Sequence, residues 1–328
     1  YFRLNKEARQ GIDDRRKELL QRMGEINPRI LNLEKQKREE LEKHIEQLVR
    51  GLVGSYMNEM RKLIKESAEL TAYLNALEYA RTRLQGAHIT RGRGDRGAVP
   101  IIQHADVRRM LLEMKAIVEG CRALIFHTVR LLDQSRTLRG KEEGKALEAY
   151  FDLFIPLVKA HVSDMAVHVT SLALQVYGGA GYTADYPAEQ YYRDSRIFPI
   201  YEGTNGIQAL DLVGRKLGQQ QGALVQRFGK EPHATVKALQ GRKGFEAEAG
   251  ILAGGLERFN AALGQFLKWS LGGGMESVAV HAVPFLGAMA QLAIAQLLLQ
   301  GAALAEDGLA KVDADGPEGQ CYRGKIAA

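Results

Sequence analysis

The sequence predicts an all-α protein: a helical bundle preceded by an N-terminal helical hairpin and followed by a C-terminal helical extension. Three observations predict this class. Apolar residues recur at helical spacing through most of the chain, and no segment alternates apolar and polar residues as a half-buried strand does. Residues 277–305 carry no charge, as expected of a core helix. A chain of 328 residues has room for two or three domains.

The composition is that of an ordinary globular protein, with 45% hydrophobic and 26% charged residues, which excludes disordered, collagen-like and disulfide-scaffold classes. Cys121 and Cys321 are far apart in the sequence, a usage typical of a reducing compartment. The first residues carry charges where a secretory signal has an apolar stretch. We therefore expect a cytoplasmic protein. A net charge of +6 is too small at this length to indicate nucleic-acid binding.

Residues 1–55 predict a charged helical hairpin of unknown origin. Pro28 divides two charged segments, and the second carries a narrow apolar stripe that includes Leu41, Ile45 and Leu48. A helix pair leaning on the next domain is the preferred interpretation. A self-associating coiled coil and a nucleic-acid-binding segment are the alternatives, and the interleaved acids disfavour the second of them.

The helical pattern continues over residues 55–85, 107–133 and 141–176. Residues 86–100 interrupt it with four glycines, a proline and four charged side chains, which predicts a loop. The RGRGDRG run in this loop could suggest RNA contact or an adhesion tripeptide, but a lone short motif is more typical of a solvent loop.

Residues 177–206 have a different composition, because glycine, proline, tyrosine and aspartate concentrate there. We expect a long aromatic loop between helices, and loops of that length inside a domain are usually functional.

The rest of the chain predicts more helices, with a polar break near 229–246. The uncharged stretch 277–305 is long enough to span a bilayer. Pro284, Gln291 and Gln296 interrupt it, so a buried bundle helix is preferred to a membrane span.

The string QVYGGAGYTADYPAEQYYRDSRIFPIYEGTNGIQALDLVGRKL, which begins at Gln175, resembles the acyl-CoA dehydrogenase family. The matching pattern is Q-x-x-G-G-x-G-Y, then Y-P-x-E, R-D and I-Y-E-G-T-x-x-I-Q. The resemblance covers roughly 56–328. It implies a C-terminal helical bundle over 56–218 and, over 219–328, the extra helical domain of the longer bacterial members. Members of the family carry an N-terminal helical domain and a β-barrel before this region, and residues 1–55 match neither.

The resemblance makes Glu202 the catalytic base of α,β-dehydrogenation of an acyl-CoA thioester, with hydride transfer to FAD. The chemistry is reasonable for this residue type. A carboxylate can remove the weakly acidic α-proton only if desolvation raises its pKa, so a buried base is expected. Glu202 is the sole acid between Phe198 and Gln208, and Gly203 after it lets backbone approach a ligand.

The resemblance also assigns FAD contacts to Arg83, Gln175, Gly178, Gly179 and Thr204. Arg83 matches an arginine that pairs with the pyrophosphate, a group that suits a guanidinium fork. Gln175 and Gly179 match the loop that reaches the flavin of a neighbouring subunit. Gly178 and Gly179 let backbone N–H groups approach the cofactor.

Substrate contacts are implied for Arg61, Tyr201 and Gly203. The implied partners are an acyl-CoA, electron-transfer flavoprotein as electron acceptor, and further copies of the chain in a homodimer or tetramer. The alternative function is a non-catalytic helical remnant that serves as a scaffold or assembly protein. A nucleic-acid-binding protein is the least favoured reading, and no nucleic acid or membrane span is expected.

Two weaker patterns remain. His161, Asp164 and His168 share a helix face and could bind zinc, but hydrogen-bonded positions in a bundle are the preferred interpretation, with no metal. Cys121 lies in an apolar helix with no base beside it, which predicts a buried thiol.

Overall fold

The computed structural model describes residues 68–90, 97–313 and 315–326, and in these ranges the chain folds into α-helices without a β-sheet. The all-α prediction is therefore confirmed. The predicted hairpin over 1–55 and the candidate residue Arg61 lie outside the described residues, as do the first six residues of the RGRGDRG run, 91–96.

The first half of the described chain is built from long helices. They are α1 (Ala68–Thr82), α2 (Ala105–Thr137), α3 (Glu142–Pro156) and α4 (Ser163–Tyr177). A π-helical turn, Leu157–Val162, joins α3 directly to α4, so one continuous helical rod covers the predicted helix 141–176. After α1, the two ends of the following loop are joined by a backbone hydrogen bond, in which the Gln85 N–H donates to the Val99 carbonyl at 3.0 Å.

Shorter helices follow and then the C-terminal ones. They are α5 (Gly179–Tyr182), α6 (Ala188–Ser195), α7 (Asn205–Asp211), α8 (Ala223–Leu239), α9 (Glu246–Leu271), α10 (Met275–Leu309) and α11 (Pro317–Ile326). A second π-helical turn, Leu212–Lys216, extends α7.

Two sequence expectations need correction. The segment 177–206 is not one long loop, because it contains the short helices α5 and α6. The polar break near 229–246 is too long, since α8 continues to Leu239. Phe228, Pro232 and Leu239 are buried along one side of α8, and this packing outweighs the polar residues between them.

One core runs through both halves of the described chain. Aromatic rings link four helices in series: Phe154 of α3 lies 6.0 Å from Phe228 of α8, which lies 5.4 Å from Phe259 of α9. Phe259 stacks on Phe285 of α10 at 5.4 Å. Burying aromatic rings of this size dominates the hydrophobic stabilisation of a core, so α8, α9 and α10 are held tightly to α3.

A second core lies between α1, α2 and α4. Ala72, Ala76 and Ala80 are fully buried at four-residue spacing. Small side chains in that row let α1 approach α4 closely, where Val169 and Ala173 are buried in turn. This core fixes the end of α1 against the end of α4.

Helix α10 contains the uncharged stretch and is, by length and composition alone, apolar enough to cross a membrane. Core helices of globular proteins share that property. Leu286, Met289 and Ala293 of α10 are buried in the main core. Gln300 of α10 is exposed, but its Nε2 donates to the buried Thr235 hydroxyl of α8 at 2.8 Å.

Candidate active site around Glu202

Glu202 lies in a left-handed turn that immediately precedes α7. Its φ is +56° and that of Gly203 is +83°. Glycine adopts this conformation freely, whereas a residue with a Cβ in it costs about 1–2 kcal/mol. Strain of this kind persists only where the surroundings enforce it, and it concentrates at functional sites.

Hydrogen bonds on both sides enforce the turn. The Asn205 N–H donates to the Pro199 carbonyl at 3.0 Å, closing the loop that contains Glu202. The Gln208 side chain donates to the Glu202 carbonyl at 3.3 Å. Thr204 caps α7, its hydroxyl accepting from the Ile207 N–H at 3.4 Å.

The Glu202 side chain is exposed, so the expectation of a buried base is wrong for this chain as the structure describes it. The physical reason is the open face on which it lies. Five large apolar side chains close to Glu202 in sequence are also exposed, and they are Ile197, Ile200, Tyr201, Ile207 and Leu210. An apolar surface around a carboxylate favours cover by a ligand or another polypeptide, which would desolvate the base.

A polar cluster that the sequence analysis missed lies next to this turn. Asn205 is buried, and its Nδ2 donates to Asp164 Oδ1 at 2.7 Å and to Ser163 Oγ at 2.9 Å. Its Oδ1 accepts from Lys159 Nζ at 2.8 Å. Burial lowers the pKa of Lys159, and the negative charges of Glu202 and Asp164 act in the opposite direction. The sequence contains one signal that could have indicated this cluster: a lysine, a serine and an aspartate lie within six residues of one another.

The Glu202 turn lies near the N-terminal end of α4. Four candidate cofactor residues lie at its C-terminal end, and they are Arg83, Gln175, Gly178 and Gly179. Arg83 follows α1, and its N–H donates to the Tyr79 carbonyl at 2.8 Å. The two glycines directly follow Tyr177, the last residue of α4.

The stacked rings of Tyr79 and Tyr177, 4.1 Å apart, hold these two chain ends together. Tyr186 packs on both rings, at 5.5 Å from Tyr79 and 5.3 Å from Tyr177. The structure therefore brings Arg83, Gln175 and the two glycines to one place.

This place is open to a ligand. Gly178 has a φ of +61°, and a Cβ at Gly178 or Gly179 would meet nothing within 4 Å. Gln175 and Arg83 are exposed, and among the described residues Arg83 has no ion-pair partner. The Gly178 N–H donates to the Gln175 carbonyl at 3.1 Å, so it is the open space at the two glycines, beside an available guanidinium, that suits the phosphates of a dinucleotide.

The structure separates the candidate residues into two groups. Tyr201, Glu202, Gly203 and Thr204 lie near the first residue of α4, whereas the other group follows its last residue. At about 1.5 Å per residue, the 15-residue helix puts them about 20 Å apart along its axis. Thr204 therefore belongs with the base and not with the other four candidate cofactor residues.

The remaining sequence patterns have local roles. Nε2 of His168 lies 2.7 Å from Glu113, and Asp164 accepts from Asn205, so neither joins a ligand set with His161. Among the described residues, no group of three His, Cys, Asp or Glu side chains could hold a metal ion. A separate open cavity of about 660 Å³ is lined by residues of α2, α10 and α11 and by residues at the start of α9, and it contains none of the predicted site residues.

Comparison with known families accounts for nearly all of the described chain. The family model for the acyl-CoA dehydrogenase C-terminal domain matches residues 69–217. The model described as acetyl-CoA dehydrogenase C-terminal like matches residues 228–328.

Known proteins agree with this assignment. The chain is 40% identical over 258 residues to 3-methylmercaptopropionyl-CoA dehydrogenase of Ruegeria pomeroyi, covering 78% of this chain and 42% of that protein. It is 36% identical over 266 residues to the broad-specificity linear acyl-CoA dehydrogenase FadE5 of Mycobacterium tuberculosis, covering 78% and 43%. The chain thus spans about two fifths of the length of these relatives.

Solved structures show the same fold. The acyl-CoA dehydrogenase of Bacillus anthracis complexed with FAD superposes with a TM-score of 0.58 at 20% identity, covering 79% of this chain and 42% of that one. ACDH-11 of Caenorhabditis elegans in complex with C11-CoA gives a TM-score of 0.58 at 18% identity, covering 71% and 36%. The two family models, the relatives and the fold together place this chain in the acyl-CoA dehydrogenase family, of which it carries the C-terminal helical domains.

Proposed function

We propose that this chain supplies the catalytic base of an FAD-dependent acyl-CoA dehydrogenase, with Glu202 removing the α-proton of the thioester. The observation that carries the proposal is the setting of Glu202 within the Y-E-G-T motif. A strained, doubly hydrogen-bonded turn presents its carboxylate on an exposed apolar face. A structural carboxylate needs no such turn.

The chemistry follows from the residue and its surroundings. The α-C–H of a thioester is a weak acid, and a positioned carboxylate accelerates its removal by about 10²–10⁴. Covering the apolar face around Ile200, Tyr201 and Ile207 would exclude water and raise the basicity of Glu202. FAD, when bound, would accept the β-hydride. Tyr201 and Gly203 flank the base and are proposed substrate contacts, and Arg61 is proposed near the CoA moiety.

The two groups of candidate residues favour a site shared between subunits. Thr204 beside the base would contact a flavin bound at the same end of α4. Arg83, Gln175, Gly178 and Gly179, about 20 Å away along α4, would contact a second flavin, bound mainly by a neighbouring copy. A homodimer or tetramer satisfies this arrangement. We also propose electron-transfer flavoprotein as the acceptor of the electrons and the cytoplasm as the location.

The chain spans about two fifths of the length of its relatives, and the described residues contain no β-barrel of the kind that the family resemblance places against this face. The competing proposal is a non-catalytic helical remnant, in which the same apolar face is covered by a structural partner. The two proposals differ in flavin retention and in dependence on Glu202.

The experiment is a visible absorbance spectrum of the purified chain, as isolated and again after addition of FAD and desalting. The proposal expects retained flavin absorbance that bleaches on addition of an acyl-CoA. Glu202→Gln removes the base with little change in shape, so it is expected to retain flavin without bleaching. Glu148→Gln, at an exposed position on α3, is the matched control and should bleach as the parent does.

Two results would count against the proposal. Bleaching that survives in Glu202→Gln would exclude Glu202 as the base. A colourless protein that does not retain FAD would exclude autonomous dehydrogenation, and would leave either a helical remnant or a piece that needs a partner chain carrying the β-barrel. The same absorbance measurements are then made on a chimaera, in which residues 69–328 are joined to the portion of the Ruegeria relative that this chain does not match. The chimaera tests Glu202 within a full-length protein.

A further inference from the structure

The helix that follows Glu202 is fastened at both ends to the rod formed by α3, the first π-helical turn and α4. Its first residue, Asn205, is buried and bonds to the rod through its side chain, whereas the N–H of Asn205 closes the Glu202 loop on Pro199 at 3.0 Å. At the far end, Lys216 is the last residue of the second π-helical turn, and only 2% of it is exposed. Two buried polar side chains therefore hold α7, and neither takes part in the proposed proton transfer.

The anchor at Asn205 uses both polar groups of the side-chain amide. Its Nδ2 donates to Asp164 Oδ1 at 2.7 Å and to the Ala160 carbonyl at 3.0 Å. Its Oδ1 accepts from Lys159 Nζ at 2.8 Å. Because the amide lies between a charged donor and a charged acceptor, a flipped or displaced amide loses both contacts. Asn205 is three residues after Glu202, so these bonds fix the end of the turn in which Glu202 has its positive φ.

The anchor at Lys216 depends on the second π-helical turn. In a regular α-helix, positions 211 and 216 would point about 140° apart. The wider turn, in which the Leu217 N–H donates to the Leu212 carbonyl at 3.0 Å, brings them to one side. Lys216 Nζ then lies 2.7 Å from Asp152 Oδ1 on α3 and 3.7 Å from Asp211 Oδ2 on α7. One buried ammonium thus ties the end of α7 to α3.

Apolar packing covers α7 and its π-helical extension on one side only. Ala209 and Leu212 are fully buried, whereas Ile207 and Leu210 are exposed. A helix of seven residues is also too short to be stable by itself. The buried polar anchors therefore fix the ends of α7, and α7 in turn holds the strained turn of Glu202.

We propose that Asn205 and Lys216 are positioning residues for Glu202: together they mount α7 on the rod, and Asn205 holds closed the loop that presents the carboxylate. The purpose of this mount rests on the proposed function of Glu202, whereas its existence is a property of the chain without cofactor. Its test is therefore hydrogen exchange of single backbone amides, measured by ¹⁵N NMR on the full chain and corrected for the intrinsic rate of each sequence.

Two amides report on the two anchors. The Asn205 N–H reports on closure of the Glu202 loop, and the Leu217 N–H reports on the far end. Asn205→Ala keeps the reporting N–H, which should exchange about tenfold faster or more, the effect of losing a buried hydrogen bond to a charged group. Lys216→Met keeps the length of the side chain and should have the same effect on the Leu217 N–H. Thr235→Val, which removes a buried hydroxyl between α8 and α10, is the matched control and should leave both amides unchanged.

A donor–acceptor swap tests the orientation of the near anchor. Asn205→Asp keeps the acceptor for Lys159 but places a carboxylate oxygen against Asp164, so it should speed exchange at residue 205 as alanine does. Adding Asp164→Asn restores a donor opposite that oxygen and should recover part of the lost protection.

Parent-like exchange of the Asn205 amide in Asn205→Ala would overturn the proposal, and so would parent-like exchange of the Leu217 amide in Lys216→Met. Equal acceleration of the buried amides of α9 would show that the two residues support the whole fold and do not position the turn. In a protein that retains flavin, Asn205→Ala should slow bleaching without changing the acyl-CoA concentration that gives the half-maximal rate, and bleaching at the parent rate would refute the link to Glu202. A chain that retains no flavin would refute autonomous catalysis and leave the exchange result unaffected.

Discussion

Gly120 of α2 packs against Ile294 of α10, and substitution there tests how the two family regions are packed together. A Cβ added at Gly120 would lie 2.5 Å from Cγ2 of Ile294, well inside van der Waals contact. A β-branched side chain in a helix has one strongly preferred χ1 rotamer, so Ile294 cannot swing this methyl aside. Either the helices must separate or Ile294 must adopt a strained conformation.

The magnitude follows from two opposing effects. Replacing glycine by alanine in a helix interior stabilises it by about 1 kcal/mol. Overpacking a close contact costs about 1–3 kcal/mol. We therefore expect Gly120→Ala to lower the free energy of unfolding by about 1 kcal/mol. Gly264→Ala is the matched control, because Gly264 is exposed on α9 with nothing within 4 Å of its Cβ, and it should raise the same quantity by about 1 kcal/mol.

Urea unfolding followed by far-UV circular dichroism measures both variants. The contact is isolated by a double-mutant cycle with Ile294→Ala, which removes the clashing methyl. The two substitutions should be non-additive by about 1–3 kcal/mol, since alanine at 120 is unhindered when Ile294 is absent. A Gly120→Ala variant as stabilised as Gly264→Ala, or an additive cycle, would show that the Ile294 methyl does not clash with a Cβ at position 120.

Two further predictions concern titratable groups in the core. Burial, with smaller contributions from the charges of Arg130 and Arg227, lowers the pKa of His127 to about 4, against about 6.5 unfolded. The contribution of neutral His127 to the free energy of unfolding is therefore fully present above pH 6.5. It is lost as pH falls from 6.5 through 4, and the total loss is about 3 kcal/mol. In urea unfolding measured between pH 6.5 and 4, His127→Leu should reduce the loss of unfolding free energy, whereas His233→Leu, at an exposed position, should not. Equal acid sensitivity in the two variants would show that His127 does not cause this loss. Burial, reinforced by the charge of Glu69, raises the pKa of the Cys121 thiol to about 12, and Cys321 is exposed. A thiol reagent should thus modify one cysteine in the native chain and two in denaturant, and rapid native reaction of Cys121, identified by peptide mapping, would show that α2 is not packed as described.

The sequence alone was sufficient for the features that depend on local pattern and composition. Helical periodicity and the absence of alternating strands predicted the all-α class, and the extent of the helix over 141–176 was close to the observed rod. The apolar surroundings of Cys121 predicted its burial. The Y-E-G-T string identified Glu202 and the family because the motif is long and its spacing is contained in one segment of chain.

Local pattern was misleading where packing outweighed it. The polar residues after Phe228 predicted a break, but one buried side of α8 keeps the helix intact to Leu239. The predicted burial of Glu202 depended on a covering surface that the described chain does not contain, and the structure leaves the carboxylate exposed.

The sequence by itself therefore determined the helical class, the family and the identity of the candidate base. Only the tertiary structure decided which residues share a site. It separated Arg83, Gln175, Gly178 and Gly179 from Glu202 by the length of α4, and it joined Lys159 to Asn205 across 46 positions. The physical reason is range. Helix formation and motif spacing depend on neighbours within a few residues, whereas contacts between helices depend on how rigid rods pack, and a linear pattern does not specify that.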